Sequence, residues 1–213
     1  MNKEDLKNLI NRMTAVEETY NSEDTVSWKA TREAENLTDT ALLPILEEII
    51  TENAKPKGRH IRNEAYFIYG KILKNSFDRN GCVFFINRLT VETDKYILSG
   101  MLDRLADIEI PTDLDISPII LHTQSEKWLV RHAAIRALGS CSTQKSRDAL
   151  SFFLKQEDEK KYKYEITYAN AAMGKIGDHT DIPLLELHIN SRIQDIKISA
   201  QMAIEKIKAL SRT

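Results

Sequence analysis

The stretch Val130-Arg131-His132-Ala133-Ala134-Ile135-Arg136-Ala137-Leu138-Gly139 constrains the fold most, because its skeleton recurs. The skeleton is an aliphatic residue, a basic residue, two spacers, Ala, and then an aliphatic residue and Gly. A second copy is Ile61-Arg62-Asn63-Glu64-Ala65, followed by Tyr69-Gly70. A third is Ile196-Lys197-Ile198-Ser199-Ala200, followed by Ile204. Looser copies begin at Val26, Ile97 and Tyr168. Successive anchors lie 35, 36, 33, 38 and 28 residues apart. Self-similarity at a period of about 20–50 residues is the signature of a solenoid, in which no unit buries its apolar face alone.

The recurring unit is helical. Only seven Gly and five Pro in 213 residues leave little material for β-turns. Leu6, Leu9, Ile10, Met13 and Val16 recur at three and four, which predicts a helix over 3–20. Asn21-Ser22-Glu23-Asp24 reads as a cap cluster, with Asp24 accepting from the amides of a helix over 25–37 that buries Val26, Ala30, Ala34 and Leu37. Thr38-Asp39-Thr40 opens a helix to Asn53, with Pro44 in its first turns, where a missing amide matters little. The Ile61 copy predicts a helix over 59–75, and Asn80-Gly81 a turn. Cys82 to Leu89 is strand-like taken alone, but the register of the repeats makes it a short helix. Ile97, Leu98, Met101 and Leu105 place a helix over 94–107. Pro118 and Pro183 echo Pro44, Ser125 and Ser191 are expected to cap the helices that follow them, and the charged segment Glu157 to Lys163 is a loop.

These elements form about six antiparallel helix pairs, approximately 3–37, 39–75, 80–107, 113–139, 144–177 and 180–210, in a single array over 1–213. The first helix of each pair (A) tends to carry a cap and a proline. The second (B) carries the skeleton. Its alanines at 65, 134, 172 and 200 are expected where helices of adjacent repeats approach closely.

Trp128 through Gly139, together with Asn170-Ala171-Ala172-Met173-Gly174-Lys175-Ile176-Gly177, resembles HEAT repeats, in particular the short bacterial kind also found in phycobilisome lyase-like proteins. The resemblance covers roughly 24–210. It implies a right-handed all-α solenoid of HEAT/armadillo-like type and a protein-binding or scaffolding role. The family's Asp before the Val-Arg pair is replaced here by Ser125-Glu126 and Pro56-Lys57, so its Asp/Arg ladder is not expected in full.

Functional expectations follow from the repeat and from what is missing beside it. No HExxH, P-loop, GxSxG or GxGxxG occurs, and His60, His122, His132, His179 and His188 lack ligand spacing. No metal or cofactor is implied. Asp113 and Asp115, in a linker, read as capping residues. Cys82 and Cys141 are far apart and read as packed free thiols in a reducing compartment. With acidic opening residues and no apolar run of membrane-spanning length, a cytoplasmic protein is expected. The leading reading is a non-enzymatic scaffold that binds a protein or peptide along a concave B-helix face. Arg62, Arg131 and Lys197 share one motif position, where they either line a basic track or tie a repeat to its neighbour or to a helix end. Arg136 is the more ligand-facing candidate, because the skeleton does not require it. Trp128 is either a hot-spot aromatic or, as favoured here, a partly buried cap over the adjacent helix. Tyr162, Tyr164 and Tyr168 with Lys160, Lys161 and Lys163 form an aromatic-basic cluster, read as a solvated loop with Tyr164 and Tyr168 in the core.

Two other classes stand as alternatives. HEAT-like alkylpurine DNA glycosylases share a Trp-Leu…Arg segment, matched here at Trp128, Leu129 and Arg131. A net charge of −2 opposes a nucleic-acid partner. Lyase-type chromophore attachment follows only from the shared repeat.

Overall fold

Every copy of the skeleton lies on an α-helix in the computed structural model, which describes residues 1–17 and 22–210. The helices are α1 (Lys3–Met13), α2 (Val26–Glu35), α3 (Leu43–Glu52), α4 (Arg59–Asn75), α5 (Arg79–Arg88) and α6 (Lys95–Leu105). They continue as α7 (Ser117–His122), α8 (Trp128–Leu138), α9 (Gln144–Leu154), α10 (Lys163–Ile176), α11 (Ile182–Glu186) and α12 (Gln194–Leu210). Among the described residues there is no strand, only a bridge between Ile110 and Cys141. The segment holding Cys82–Leu89 is helical, as the repeat register requires and local β-propensity does not; tertiary context overrides a weak local preference.

Local chemistry sets the helix starts. Asn2 opens α1 by accepting from the amides of Glu4 and Asp5, and Asp5 returns a bond to the Asn2 amide. Thr25, Asp94 and Thr143 cap α2, α6 and α9 in the same way. Pro44, Pro118 and Pro183 sit in the first turns of α3, α7 and α11, where the ring pre-sets φ and the absent amide had no partner to lose.

Several boundaries differ from expectation. Helix α1 ends at Met13, and Val16 is 97 % exposed rather than part of the apolar stripe. Thr25, not Asp24, caps α2, and Val26 stands exposed; Asn21 of the expected cap cluster lies outside the described residues. Asn80 and Gly81 belong to α5, whose first turn is held by the Asp78 carboxylate accepting from the Gly81 amide at 2.6 Å. Ser125 and Ser191 do not cap α8 and α12. Each hydroxyl accepts instead from an amide two residues on, that of Lys127 (3.2 Å) or Ile193 (3.1 Å), as loop residues of this type do.

The chain divides into two compact units, Met1–Phe85 and Ile86–Thr213. In the first, α1 and α3 pack with α2 and α4, and Leu9, Ile10, Ala34, Leu46, Ile49, Ala65 and Ile72 are fully buried or nearly so. Tyr69 stacks on Phe85 with ring centroids 5.3 Å apart and donates its hydroxyl to Glu47 at 2.8 Å; burial, then Glu47, raises its pKa. In the second unit the B helices follow one another in chain order, α6 on α8, α8 on α10, α10 on α12, with A helices α7, α9 and α11 against them.

The B helices meet through small residues. A Cβ at Gly139 would lie 3.0 Å from Ala172 Cα, and one at Gly174 would lie 2.7 Å from Ala203 Cα. Ala134, Ala172 and Ala200 are buried as expected. Polar ties one repeat long join the stack. Ser140 Oγ donates to Leu105 O at 2.7 Å, and His122 Nε2 and His188 Nε2 each lie 2.9 Å from the carbonyl of Leu89 and Leu154, respectively. Both histidines sit just after a proline-started A helix or at its end, and both reach back to the end of the preceding one.

Candidate functional site

The site forms where the start of α8 meets the start of α10. Trp128 is the first residue of α8, so its side chain has no preceding turn to cover it. His132 follows one turn later on the same face, with ring centroids 5.6 Å apart. From α10, Tyr164 and Tyr168 are also one turn apart and bring their rings to 5.7 and 5.3 Å from His132. With Arg131, Glu165 and Lys161 of the preceding loop, these residues line a cleft of about 590 Å³. Trp128 is 63 % exposed and Tyr164 54 %, so neither is the covered residue expected from the sequence.

A buried carboxylate organises the floor. Glu165 is 4 % exposed. Its Oε1 accepts from Arg131 Nε at 2.7 Å and faces His132 Nε2 at 3.2 Å. Arg131 also donates through Nη1 to Ser125 O at 2.7 Å, which folds the loop before α8 onto the helix. Burial pushes the Glu165 pKa up, but the bonds from Arg131, its own amide and His132 outweigh this and hold it below the usual value. Burial, joined by the Arg131 charge, lowers the His132 pKa against the pull of Glu165. Because the Glu165 carboxylate can only accept, the His132 Nε2 that faces it is the protonated nitrogen of this contact. Among the described residues no group of three His, Cys, Asp or Glu side chains is placed to hold a metal ion.

The five residues singled out from sequence part company here. Trp128 and Arg131 line the cleft. Arg62 is buried and donates to Asn53 O at 2.6 Å and Lys55 O at 3.3 Å, closing the end of α3. Arg136, expected to face a ligand, pairs with Asp103 of the preceding repeat at 2.8 Å. Lys197 is half-buried on α12, away from the cleft. An inter-repeat ladder does exist, although the expected Asp is absent: Arg131 finds Glu165, 34 residues on, and Lys163 finds Asp195 at 2.7 Å. Glu165 and His132 were missed as site residues. Their signal was the one-repeat separation of Glu165 from Arg131 and His132, which is visible only once the register is known. Cys82 and Cys141 are buried; burial raises the Cys82 thiol to about 11, away from nucleophilic use.

Among solved structures, an engineered protein matches with 18 % identity, 98 % of each chain covered and a TM-score of 0.51. A designed armadillo repeat protein matches with 14 % identity and a TM-score of 0.52, over 95 % of this chain and 99 % of its own. A second designed armadillo repeat protein, in complex with the peptide (KR)4, matches with 13 % identity, the same TM-score of 0.52 and the same coverage, 95 % and 99 %. No family model and no curated protein matches the chain. The likeness is one of fold: an all-α repeat solenoid of armadillo-like type. No described helix is long and apolar enough to cross a membrane.

Proposed function

We propose that the protein is a HEAT-type scaffold that takes a protein or peptide partner on its B-helix face, with the Trp128–Tyr164 cleft as the anchoring point. One observation carries this reading: two large aromatic side chains stand more than half exposed on either side of a formed cleft. Exposed aromatic area beside a pocket is the usual composition of an interface hot spot, where a small number of side chains supply most of the affinity. Burying Trp128 in a partner would remove the larger part of its ring from water. A designed armadillo repeat protein of similar fold is in complex with a peptide, and peptide binding is proposed here for this chain as well. Arg131 belongs to this site as the residue that sets the floor. Arg62 and Arg136 are assigned to holding the repeats together.

The test is affinity capture from lysate with wild type, a Trp128→Ala/Tyr164→Ala variant, and a Leu121→Ala variant on α7 outside the cleft. Loss of a captured species in the double variant alone supports the reading. Equal recovery in all three removes the cleft as the anchor.

A further inference from the structure

The cleft's charges point to the class of partner. Two of its three charged side chains are basic. The single acid, Glu165, is buried and already matched by Arg131 at 2.7 Å. Arg131 uses Nε and Nη1 in the bonds to Glu165 and Ser125 and lines the cleft beside them. Lys161 lies at the rim with its amine 4.9 Å from the centre of the Tyr162 ring. None of the acids of the same loop, Glu157, Asp158 and Glu159, lines the cleft. Glu159 accepts from Ser191 Oγ at 2.6 Å and faces His188, and Asp158 Oδ1 accepts from the Lys161 amide at 3.0 Å. Lys163 is held by Asp195.

A second observation agrees. Helices α8 and α10 both start at the cleft, at Trp128 and at Lys163 beside Tyr164, and neither is closed by a capping side chain, unlike α1, α2, α6 and α9. The macrodipoles of the two helices, whose N-terminal ends lie here, add partial positive charge to the Arg131 and Lys161 cations. The ring faces of Trp128 and Tyr164 meanwhile offer stacking area to a planar apolar group.

We infer that the cleft takes an acidic peptide segment carrying one aromatic side chain, the ring between Trp128 and Tyr164 and the carboxylates toward Lys161, Arg131 and the two helix starts. This rests on the peptide-binding reading above. It assigns this chain a charge preference opposite to the polybasic (KR)4 ligand of the designed protein.

Fluorescence anisotropy with three labelled probes tests it: a short peptide of glutamate and aspartate around a central tryptophan, the same peptide with alanine for tryptophan, and (KR)4. The tryptophan-bearing acidic peptide is expected to bind, more weakly as salt rises from about 50 to about 150 mM. Trp128→Ala should weaken it about thirtyfold and Lys161→Glu about fivefold, the sizes of a hot-spot truncation and of a rim charge. Both positions are exposed, and circular dichroism checks that both variants fold. Binding of (KR)4 that Trp128→Ala abolishes would overturn the acidic class and leave the peptide-binding reading standing. Retardation of a single-stranded oligonucleotide with no response to any peptide would overturn both. Acidic-peptide binding unmoved by either substitution, or no binding at millimolar peptide, overturns the proposal.

Discussion

Two glycines on different B helices should respond to the same substitution with opposite signs. Both Gly100 and Gly174 lie inside helices, α6 and α10, so Gly→Ala gains about 0.5–1 kcal/mol of helix propensity at either. At Gly100 a new methyl meets nothing within 4 Å, so that gain stands alone. At Gly174 it would lie 2.7 Å from Ala203 Cα and 2.9 Å from Ala203 Cβ, against a carbon–carbon optimum near 3.5–4.0 Å. Backbone cannot rotate aside as a side chain can. Helices α10 and α12 must therefore separate by about 1 Å there and loosen the contacts of Ala172, Ala200 and Ala203. Overpacking of this kind costs about 2 kcal/mol in mid-range, and subtracting the propensity gain leaves a net loss of about 1 kcal/mol. For a chain of this length that is a fall in Tm of roughly 2–4 °C for Gly174→Ala and a rise of roughly 1–4 °C for Gly100→Ala. Thermal melts followed by circular dichroism at 222 nm measure both. A Gly174→Ala protein melting at or above wild type would refute the argument that close backbone approach joins these repeats.

Arg131 and Arg136, both paired across repeats, should be unequal. Arg136→Ala removes an exposed pair and should change stability by less than about 1 kcal/mol, whereas Arg131→Ala leaves buried Glu165 without its cationic partner and should cost about 2–3 kcal/mol, read from urea unfolding. Recovery of the loss in Arg131→Ala/Glu165→Gln would confirm that the unmatched carboxylate is its source. His188→Ala should cost about 2–3 kcal/mol by leaving the Leu154 carbonyl unmatched and the ring's space empty, again from the urea midpoint. Bonds from the Thr180 hydroxyl and amide, then from Arg147, hold the Asp178 carboxyl at about 2, below its usual 3.8. Because the folded value is the lower one, its stabilisation is present above pH 4 and is lost as pH falls toward 2. Over that window Tm of wild type should fall more steeply than Tm of Asp178→Asn.

Whether a segment is helical, and which of its residues face inward, was readable from residue spacing, because a 3.6-residue period and a 34-residue recurrence are written in consecutive residues. Ala134, Ala172 and Ala200, the proline-started A helices, and the helical state of Cys82–Leu89 all followed from that register. What each surface-facing residue does was not readable, because it depends on the repeat beside it. Arg131 and Arg136 belong to one skeleton on one helix. One reaches forward to a carboxylate on α10 and the other back to one on α6. Trp128 shares its helix with buried Val130 and Ala133, yet packing left it 63 % exposed at the edge of a cleft. The same holds for the pairing of Gly174 with Ala203. Periodicity is a property of one chain segment, whereas exposure, charge pairing and the shape of a cleft arise between segments and exist only after the repeats have stacked.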